Sequence, residues 1–317
     1  MRRYIGEITI KGNRVKVPTI EVGKHEIIVA GKYLKIARLK EEWDDDIENP
    51  EWVIDELNKS HERIDIFTFM QRLPESSPRY KYWMEWDNVA AIPIRSYERW
   101  FESQLHSSHR NKVRKAQREG VTIKQVPFDD DFVSSVMKVL NESPVRQGGP
   151  FLDYGKSFDI VKMEHATYLD RAEFIGAYYA DELIGYIKLV FAGKFMRTMQ
   201  ILSLIKYRAK APTNALLAEA IKICVEKQVP YLVYGRYSYG KVGSNTLREF
   251  KFYNGFEPIL LPRYYVPVTP LGKMAIKCGM HQGMIGLMPR NLVRLLLAIR
   301  KEFYDRKTEV ARGGMVN

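Results

Sequence analysis

The chain has 317 residues and a mass of 37.0 kDa, with 45% hydrophobic and 12% aromatic residues. That is enough apolar material for one large or two modest domains, and it excludes a disordered chain. Lys+Arg 50 against Asp+Glu 38 leaves a net charge of +12, which fits an anionic partner (a nucleotide-bearing cofactor, a nucleic acid, an acidic membrane surface) or simply a solubilising surface of mixed charge.

Residues 1–40 alternate apolar and polar types between Gly-centred turns, in runs at 7–11, 14–17, 26–30 and 33–36. Period-two alternation predicts a small antiparallel sheet. An acidic loop over 41–50 follows, and Pro50 suits the first turn of a helix reaching about residue 60. Runs at 64–70, 81–86 and 90–94 read as further strands, so residues 1–95 read as a β-rich α+β domain. Over 96–119, Trp100, Phe101, Leu105, Val113 and Ala116 form an apolar stripe among Arg99, Arg110, Lys112, Arg114, Lys115 and Arg118. One basic helix is expected there, stopped by Gly120. A strand over 121–126, an aspartate-capped helix over 129–141, a loop and a helix over 158–169 come next. The stretches 172–179 and 183–192 pair across a turn at 180–182. A strand over 198–205 leads through a basic turn into a helix over 213–227 and a strand over 231–234. A short helix ending in Asn-Gly-Phe and a strand over 264–268, whose Pro267 suits an edge or end position, close this domain, 96–270. The remainder, 271–317, is basic and carries an amphipathic helix over 291–300.

Cys224 and Cys278 provide neither a disulfide framework nor metal-ligand spacing, which suits a reducing cytoplasm. Cys224 falls on the apolar face of its helix and reads as a small buried hydrophobe. The N-terminus lacks the apolar core of a signal peptide, and the apolar runs are shorter than a membrane span. The expectation is a cytoplasmic protein. His106 and His109 share the basic helix with no carboxylate partner in view, while His165 and His281 are isolated, so no metal is expected. Nucleophile-elbow, P-loop and dinucleotide fingerprints are absent. The loop 141–156 gathers Glu142, Arg146, Gln147, Tyr154 and Lys156 around Gly148, Gly149 and Gly155. Such a loop suits close approach to a substrate, with Glu142 as a base for an acceptor amine; a flexible polar connector has the same composition.

Three stretches together carry a family resemblance: Ser108-His-Arg-Asn-Lys-Val-Arg-Lys-Ala-Gln-Arg-Glu-Gly-Val121, Gly176-Ala-Tyr-Tyr-Ala-Asp-Glu-Leu-Ile-Gly-Tyr-Ile-Lys-Leu189 and Leu247-Arg-Glu-Phe-Lys-Phe-Tyr-Asn-Gly-Phe256. In this order they resemble the GNAT superfamily, in the branch related to the Fem-type aminoacyl transferases. The resemblance covers about 96–270, and the whole chain if 1–95 is a degenerate GNAT copy. It implies an α+β fold with a mixed, mostly antiparallel sheet flanked by helices. It also implies transfer of an acyl or aminoacyl group from acyl-CoA, acetyl-CoA or aminoacyl-tRNA to an amine or hydroxyl. The donor's phosphates would lie at the helix after Lys206-Tyr-Arg-Ala-Lys-Ala-Pro212, with Arg208 and Lys210 adding charge and Thr213 or Asn214 capping it. The alternative is that these residues merely begin a helix in solvent. The usual Gly-rich pyrophosphate loop is absent, which sets acyl-CoA against aminoacyl-tRNA as donor. Lys251 stands where an acetyltransferase carries a tyrosine acid, as in Fem-type proteins, and would stabilise an oxyanion or phosphate; otherwise it is a solvated helix lysine. Tyr253 lies two residues off that register. Arg236 and Tyr237 fall where donor and acceptor meet in the family. Two rival readings are a non-catalytic nucleic-acid-binding protein using the basic helix over 106–118, and contact of 291–300 with an acidic membrane surface.

Overall fold

The computed structural model describes residues 1–10, 13–146, 149–238 and 245–282. Gln147 and the amphipathic stretch 291–300 lie outside the described residues. The strands are β1 (Arg2–Ile10), β2 (Asn13–Val22), β3 (His25–Ala30), β4 (Ile36–Leu39), β5 (Ile66–Met70), β6 (Trp83–Pro93) and β7 (Thr122–Gln125). They continue with β8 (Val145–Arg146), β9 (Gly149–Pro150), β10 (Ala172–Tyr179), β11 (Glu182–Phe191), β12 (Met196–Ser203), β13 (Tyr231–Val233) and β14 (Glu257–Pro267). The helices are α1 (Pro50–Lys59), α2 (Tyr97–Arg99), α3 (Ser107–Arg118), α4 (Asp130–Leu140), α5 (Phe158–His165), α6 (Pro212–Glu226), α7 (Asn245–Tyr253) and α8 (Pro270–Lys277). No described helix is long and apolar enough to cross a membrane.

The chain divides into two compact units, one built from Met1–Asp87 and the stretch from Leu261, the other from Asn88–Ser238 and the stretch ending at Leu260. Unit one pairs its strands in the order β1-β2-β3-β4-β5-β14, antiparallel except between β4 and β5. Pro50 opens α1 as its composition predicts, behind an Asn49 cap that accepts from the Trp52 N–H at 3.0 Å. Val53 and Leu57 of α1 pack with Ile20, Ile27, Phe67 and Tyr264 in one core. The runs at 81–86 and 90–94 prove to be a single strand, β6, and the strand expected at 33–36 lies three residues later, as β4.

Unit two orders its strands β6-β13-β12-β11-β10-β7. All neighbours are antiparallel except β12 and β13, which run parallel. The nearly continuous apolar run of α6 (Ala215, Leu216, Leu217, Ala220, Ile221, Cys224) is buried in a core shared with β10, β11 and α4, and burial pushes the Cys224 thiol up to about 12. The helix expected over 96–119 is broken. A π-helical turn over Trp100–Gln104 follows α2, Leu105 is extended, and His106 starts α3 by accepting from the Ser108 N–H. Arg110 holds the break, its Nη1 donating to the Glu102 carbonyl at 2.6 Å and the Leu105 carbonyl at 2.9 Å. Hydrophobic period alone does not show such a break, because the apolar stripe continues through it.

One feature of this sheet opens a site. β12 and β13 are paired only at Met196↔Leu232 and Arg197↔Val233, after which they part. On its other side β12 stays with β11, whose register shifts between Lys188↔Gln200 and Leu189↔Thr198 to leave Met199 as a bulge. A Cβ at Gly185 would meet Ser203 Cβ at 2.9 Å and Leu202 O at 3.0 Å, so β11 needs glycine where β12 ends.

Candidate functional site

A cavity of about 970 Å³ lies in unit two where β12 and β13 part. Ile201, Leu202 and Ser203 of β12 form one wall and Tyr234, just past β13, another. The remaining walls come from the first turn of α6, from α3, and from Leu247, Phe250 and Tyr253 of α7.

The α6 end of the cavity suits an anion. Ala211 precedes α6 in the left-handed region (φ 56°), Pro212 is its first residue, and no side chain caps the helix. The expected capping by Thr213 or Asn214 is therefore not made. Thr213 Oγ1 instead meets Ser203 Oγ at 3.0 Å, and Asn214 turns to His109 and Asn254. The N-terminus of this 15-residue helix presents a positive dipole end with no capping side chain; Pro212 has no N–H, and the Ala211 and Asn214 N–H groups donate to the Arg208 and Ala211 carbonyls at 3.0 and 3.1 Å. Arg208, Lys112 and Lys115 line the same cavity. Among the described residues none of these three has an ion-pair partner. Lys210, also expected here, is elsewhere: its Nζ pairs with Glu119 at 3.3 Å and sits 3.9 Å from the Tyr179 ring centre.

Beside it, a buried polar network ties α3, α6 and α7. His109 Nδ1 lies 3.2 Å from Asn254 Oδ1, and Asn214 Nδ2 donates to that same oxygen at 3.3 Å. Asn254 Nδ2 donates to the Phe250 carbonyl at 2.7 Å, and its own carbonyl accepts from Trp100 Nε1 at 3.1 Å. Lys112 Nζ stands 3.0 Å from His109 Nε2. Burial, then Lys112 and His106, hold the His109 imidazole below its usual range against the pull of Asn254. Tyr253 packs on both imidazoles, 4.8 Å from His106 and 5.4 Å from His109 between ring centres. The missing carboxylate had made His109 look idle in the sequence. The signal was present in Tyr253-Asn254-Gly255, whose asparagine supplies the partner.

Lys251 is fully buried, and burial brings its ammonium down to about 8. Its Nζ donates to the Arg236 carbonyl and lies 5.3 Å from the centre of the Tyr234 ring. It is not a solvated lysine, and it sits behind the cavity wall, whereas Tyr253 is on the wall. Glu142, read as a base, is occupied. It accepts from the Ile205 and Lys206 N–H groups, at 2.5 and 2.9 Å, and pairs with Arg146 at 3.2 Å. Arg146 lines the cavity while its Nη1 donates to the Ser203 carbonyl and its Nη2 to the Val139 carbonyl, at 2.9 and 2.7 Å. Together these two side chains clamp the end of β12. Tyr154 is exposed, Lys156 pairs with Asp153 and Glu164, Tyr237 packs on the core, and the Arg236 side chain is exposed; none of these four lines the cavity. The structure thus gathers Arg208, Thr213, Asn214, Arg146 and Tyr253 at one cavity. Among the described residues no cluster of three His, Cys, Asp or Glu is placed to hold a metal.

No protein-family model matches the chain, and no curated protein matches it. Solved structures do. The crystal structure of FemX superposes with a TM-score of 0.54 at 11% identity, over 86% of this chain and 90% of that one. The C-terminal domain of a protein assigned as a lysylphosphatidylglycerol synthetase, from Agrobacterium fabrum, gives 0.52 at 13% identity, over 80% and 84%. A conserved protein of unknown function from Bacteroides thetaiotaomicron gives 0.51 at 9% identity, over 80% and 86%. At such identities the likeness is one of fold. This chain, with its mixed and mostly antiparallel sheet flanked by helices, has a GNAT-like fold, shared with FemX.

Proposed function

We propose that unit two is an acyltransferase that moves an acyl or aminoacyl group from a phosphate-bearing donor, acyl-CoA or aminoacyl-tRNA, to an amine or hydroxyl. The observation that carries this reading is the cavity at the parted strands, where an uncapped helix N-terminus converges with three cations that lack ion-pair partners among the described residues. A ligand with several negative oxygens satisfies all of them at once, and a neutral one satisfies none. The fold shared with FemX and with a domain of a protein assigned as a lysylphosphatidylglycerol synthetase agrees with transfer of an activated acyl group.

In this reading the α6 N-terminus, Thr213 and Arg208 hold the donor's phosphate, joined by Lys112 and Lys115. The edge of β12 released by β13 offers backbone N–H groups to the acyl carbonyl, where negative charge grows as the nucleophile adds. Tyr253, on the wall between α3 and α7, gives a proton to the leaving group. Lys251 acts at one remove, since its ammonium holds the Arg236 carbonyl of the segment that leaves β13.

The nucleic-acid reading of α3 has less support. Arg110 is spent on carbonyls, Arg114 lies 5.2 Å over the Phe101 ring, and Lys112 and Lys115 face the cavity. Melting temperature is the test, measured with CoA, acetyl-CoA and charged transfer RNA. A rise with a donor, lost when Arg208 and Lys115 are neutralised, supports transfer; no rise with any of them sinks it.

A further inference from the structure

The buried network beside the cavity does more than hold three helices together. The Asn254 amide is oriented by its Nδ2 donating to Phe250 O at 2.7 Å, so its Oδ1 faces His109 Nδ1. Nδ1 lies 3.2 Å from that acceptor and 3.2 Å from a donor, Asn214 Nδ2, so the other ring nitrogen decides the tautomer. Lys112 Nζ, which can only donate, stands 3.0 Å from Nε2, so Nε2 holds a lone pair and Nδ1 carries the proton toward Asn254. His109 is buried, with 7% of its surface exposed, yet it lines the cavity. Lys112 is exposed, on a flexible stem, and has no ion-pair partner among the described residues. One ring nitrogen is thus fixed as an acceptor on the cavity wall, and the group now covering it is a primary ammonium that can leave.

We propose that His109 is the base of the transfer: its Nε2 takes the proton of the attacking amine or hydroxyl, whose nitrogen or oxygen comes to the place that Lys112 Nζ holds. This rests on the transfer reading above. The attacking atom's lone pair forms a bond to the acyl carbon while its proton passes to Nε2. The bond from acyl carbon to the donor's sulfur or oxygen breaks, and the leaving atom takes the Tyr253 proton. The imidazolium's proton then restores the phenol through solvent, so atoms and charge balance. Lys112, freed, turns to the donor's phosphate.

The surroundings keep the base neutral and ready. Burial opposes protonation, as do Lys112 of α3 and its cap residue His106, while Asn254, just past α7, favours it. Lys115 of α3, Arg208 ahead of α6, and Glu249 and Tyr253 of α7 line the same cavity, and Asn214 of α6 adds a neutral amide. The base form of His109 therefore persists to a lower pH than that of a free imidazole.

The test uses the full chain with acetyl-CoA and with alanyl-transfer RNA, following hydrolysis of whichever is bound, with water in the acceptor's place. Wild type is expected to lose turnover on a single acid limb lying below the usual imidazole range. His109→Gln should bind the donor as wild type does and lose roughly 10²–10⁴-fold in turnover. Asn254→Asp sets a carboxylate against Nδ1–H and should move the acid limb to higher pH, which a merely structural asparagine would not do. Wild-type turnover in a folded His109→Gln, an unmoved limb in a folded Asn254→Asp, or a bound donor that wild type leaves intact would each overturn the proposal. Nitrogen NMR of the wild-type imidazoles decides independently of either variant's folding: an Nε2–H tautomer at His109 overturns it. If neither donor binds, the transfer reading itself fails and takes this one with it; a failure of His109 alone leaves donor binding intact.

Discussion

The two units handle cations in opposite ways. In unit one the guanidinium of Arg263 is buried, with Nη1 and Nη2 on the two oxygens of Glu42 at 2.6 and 2.8 Å and Nε on Asp87 at 2.9 Å. Burial alone would disfavour its charge, but the two carboxylates outweigh burial and raise its affinity for the proton. In unit two, Lys112, Lys115 and Arg208 face the cavity with no ion-pair partner among the described residues. A cation whose every donor is matched within the fold is holding that fold together. Cations gathered without matching carboxylates weaken the fold by mutual repulsion and suit an anion from outside.

That contrast breaks most visibly at Arg263. Arg263→Ala takes the guanidinium away from the half-buried carboxylates of Glu42 and Asp87, and the expected loss is about 3–5 kcal/mol in denaturant unfolding. A change of less than about 1 kcal/mol would mean that the ion pairs are no more than surface ones. The cavity lysines should behave in reverse. Lys112→Ala with Lys115→Ala is expected to leave stability within about 0.5 kcal/mol of wild type, or slightly above it. Affinity for the donor, read from the thermal shift with acetyl-CoA or charged transfer RNA, should fall about tenfold or more per lysine, as lost charge-assisted hydrogen bonds require.

The legible part of this molecule is the part in which local signals agree. The strand pair β10–β11 and the α6 helix after Pro212 come from period and turn chemistry alone, because each has one apolar face to bury. The GNAT-like order follows from their succession. The parting of β12 and β13 was not legible, since it is a matter of how far two strands pair and leaves no mark on either strand's apolar pattern. Lys251 and Glu142 show a second limit. Both are residue types that do chemistry, and the sequence cannot tell a charge facing a cavity from one satisfied by carbonyls or N–H groups on its far side. Tyr253 shows the converse: it lies two residues off the register taken from other proteins, yet α7 puts it on the cavity wall.

Two buried lysines sharpen the comparison within unit two. Lys188 donates to the His165 and Thr167 carbonyls at 2.8 and 2.6 Å and to Thr167 Oγ1 at 2.8 Å. Its acceptors carry no net charge, and burial brings it down to about 8, as it does Lys251. An unfolded lysine titrates near 10.4. Between those values the unfolded chain binds more protons than the folded one, so stability should rise as pH climbs through that window and should be lowest below it. Lys188→Met and Lys251→Met should each flatten part of the rise. Stability that falls through the same window in wild type would show that neither ammonium is desolvated.

The mildest change falls on Tyr253. Tyr253→Phe removes one oxygen and keeps the ring that packs on His106 and His109, so stability should stay within about 0.5 kcal/mol of wild type. Its effect on turnover depends on what leaves. A thiol ionises near roughly 8.5, so a CoA thiolate departs from its acyl group with little need of a proton, and the loss with acyl-CoA should be a few-fold, on the order of tenfold at most. A ribose hydroxyl is a far weaker acid, so its alkoxide departs poorly unless it is protonated, and the loss with aminoacyl-tRNA should be larger by an order of magnitude or more. Measured on both donors with one variant, the ratio of losses tells which leaving group the phenol serves. Equal and negligible losses would reduce Tyr253 to a wall of the cavity and leave His109 and the β12 edge to carry the transfer without it.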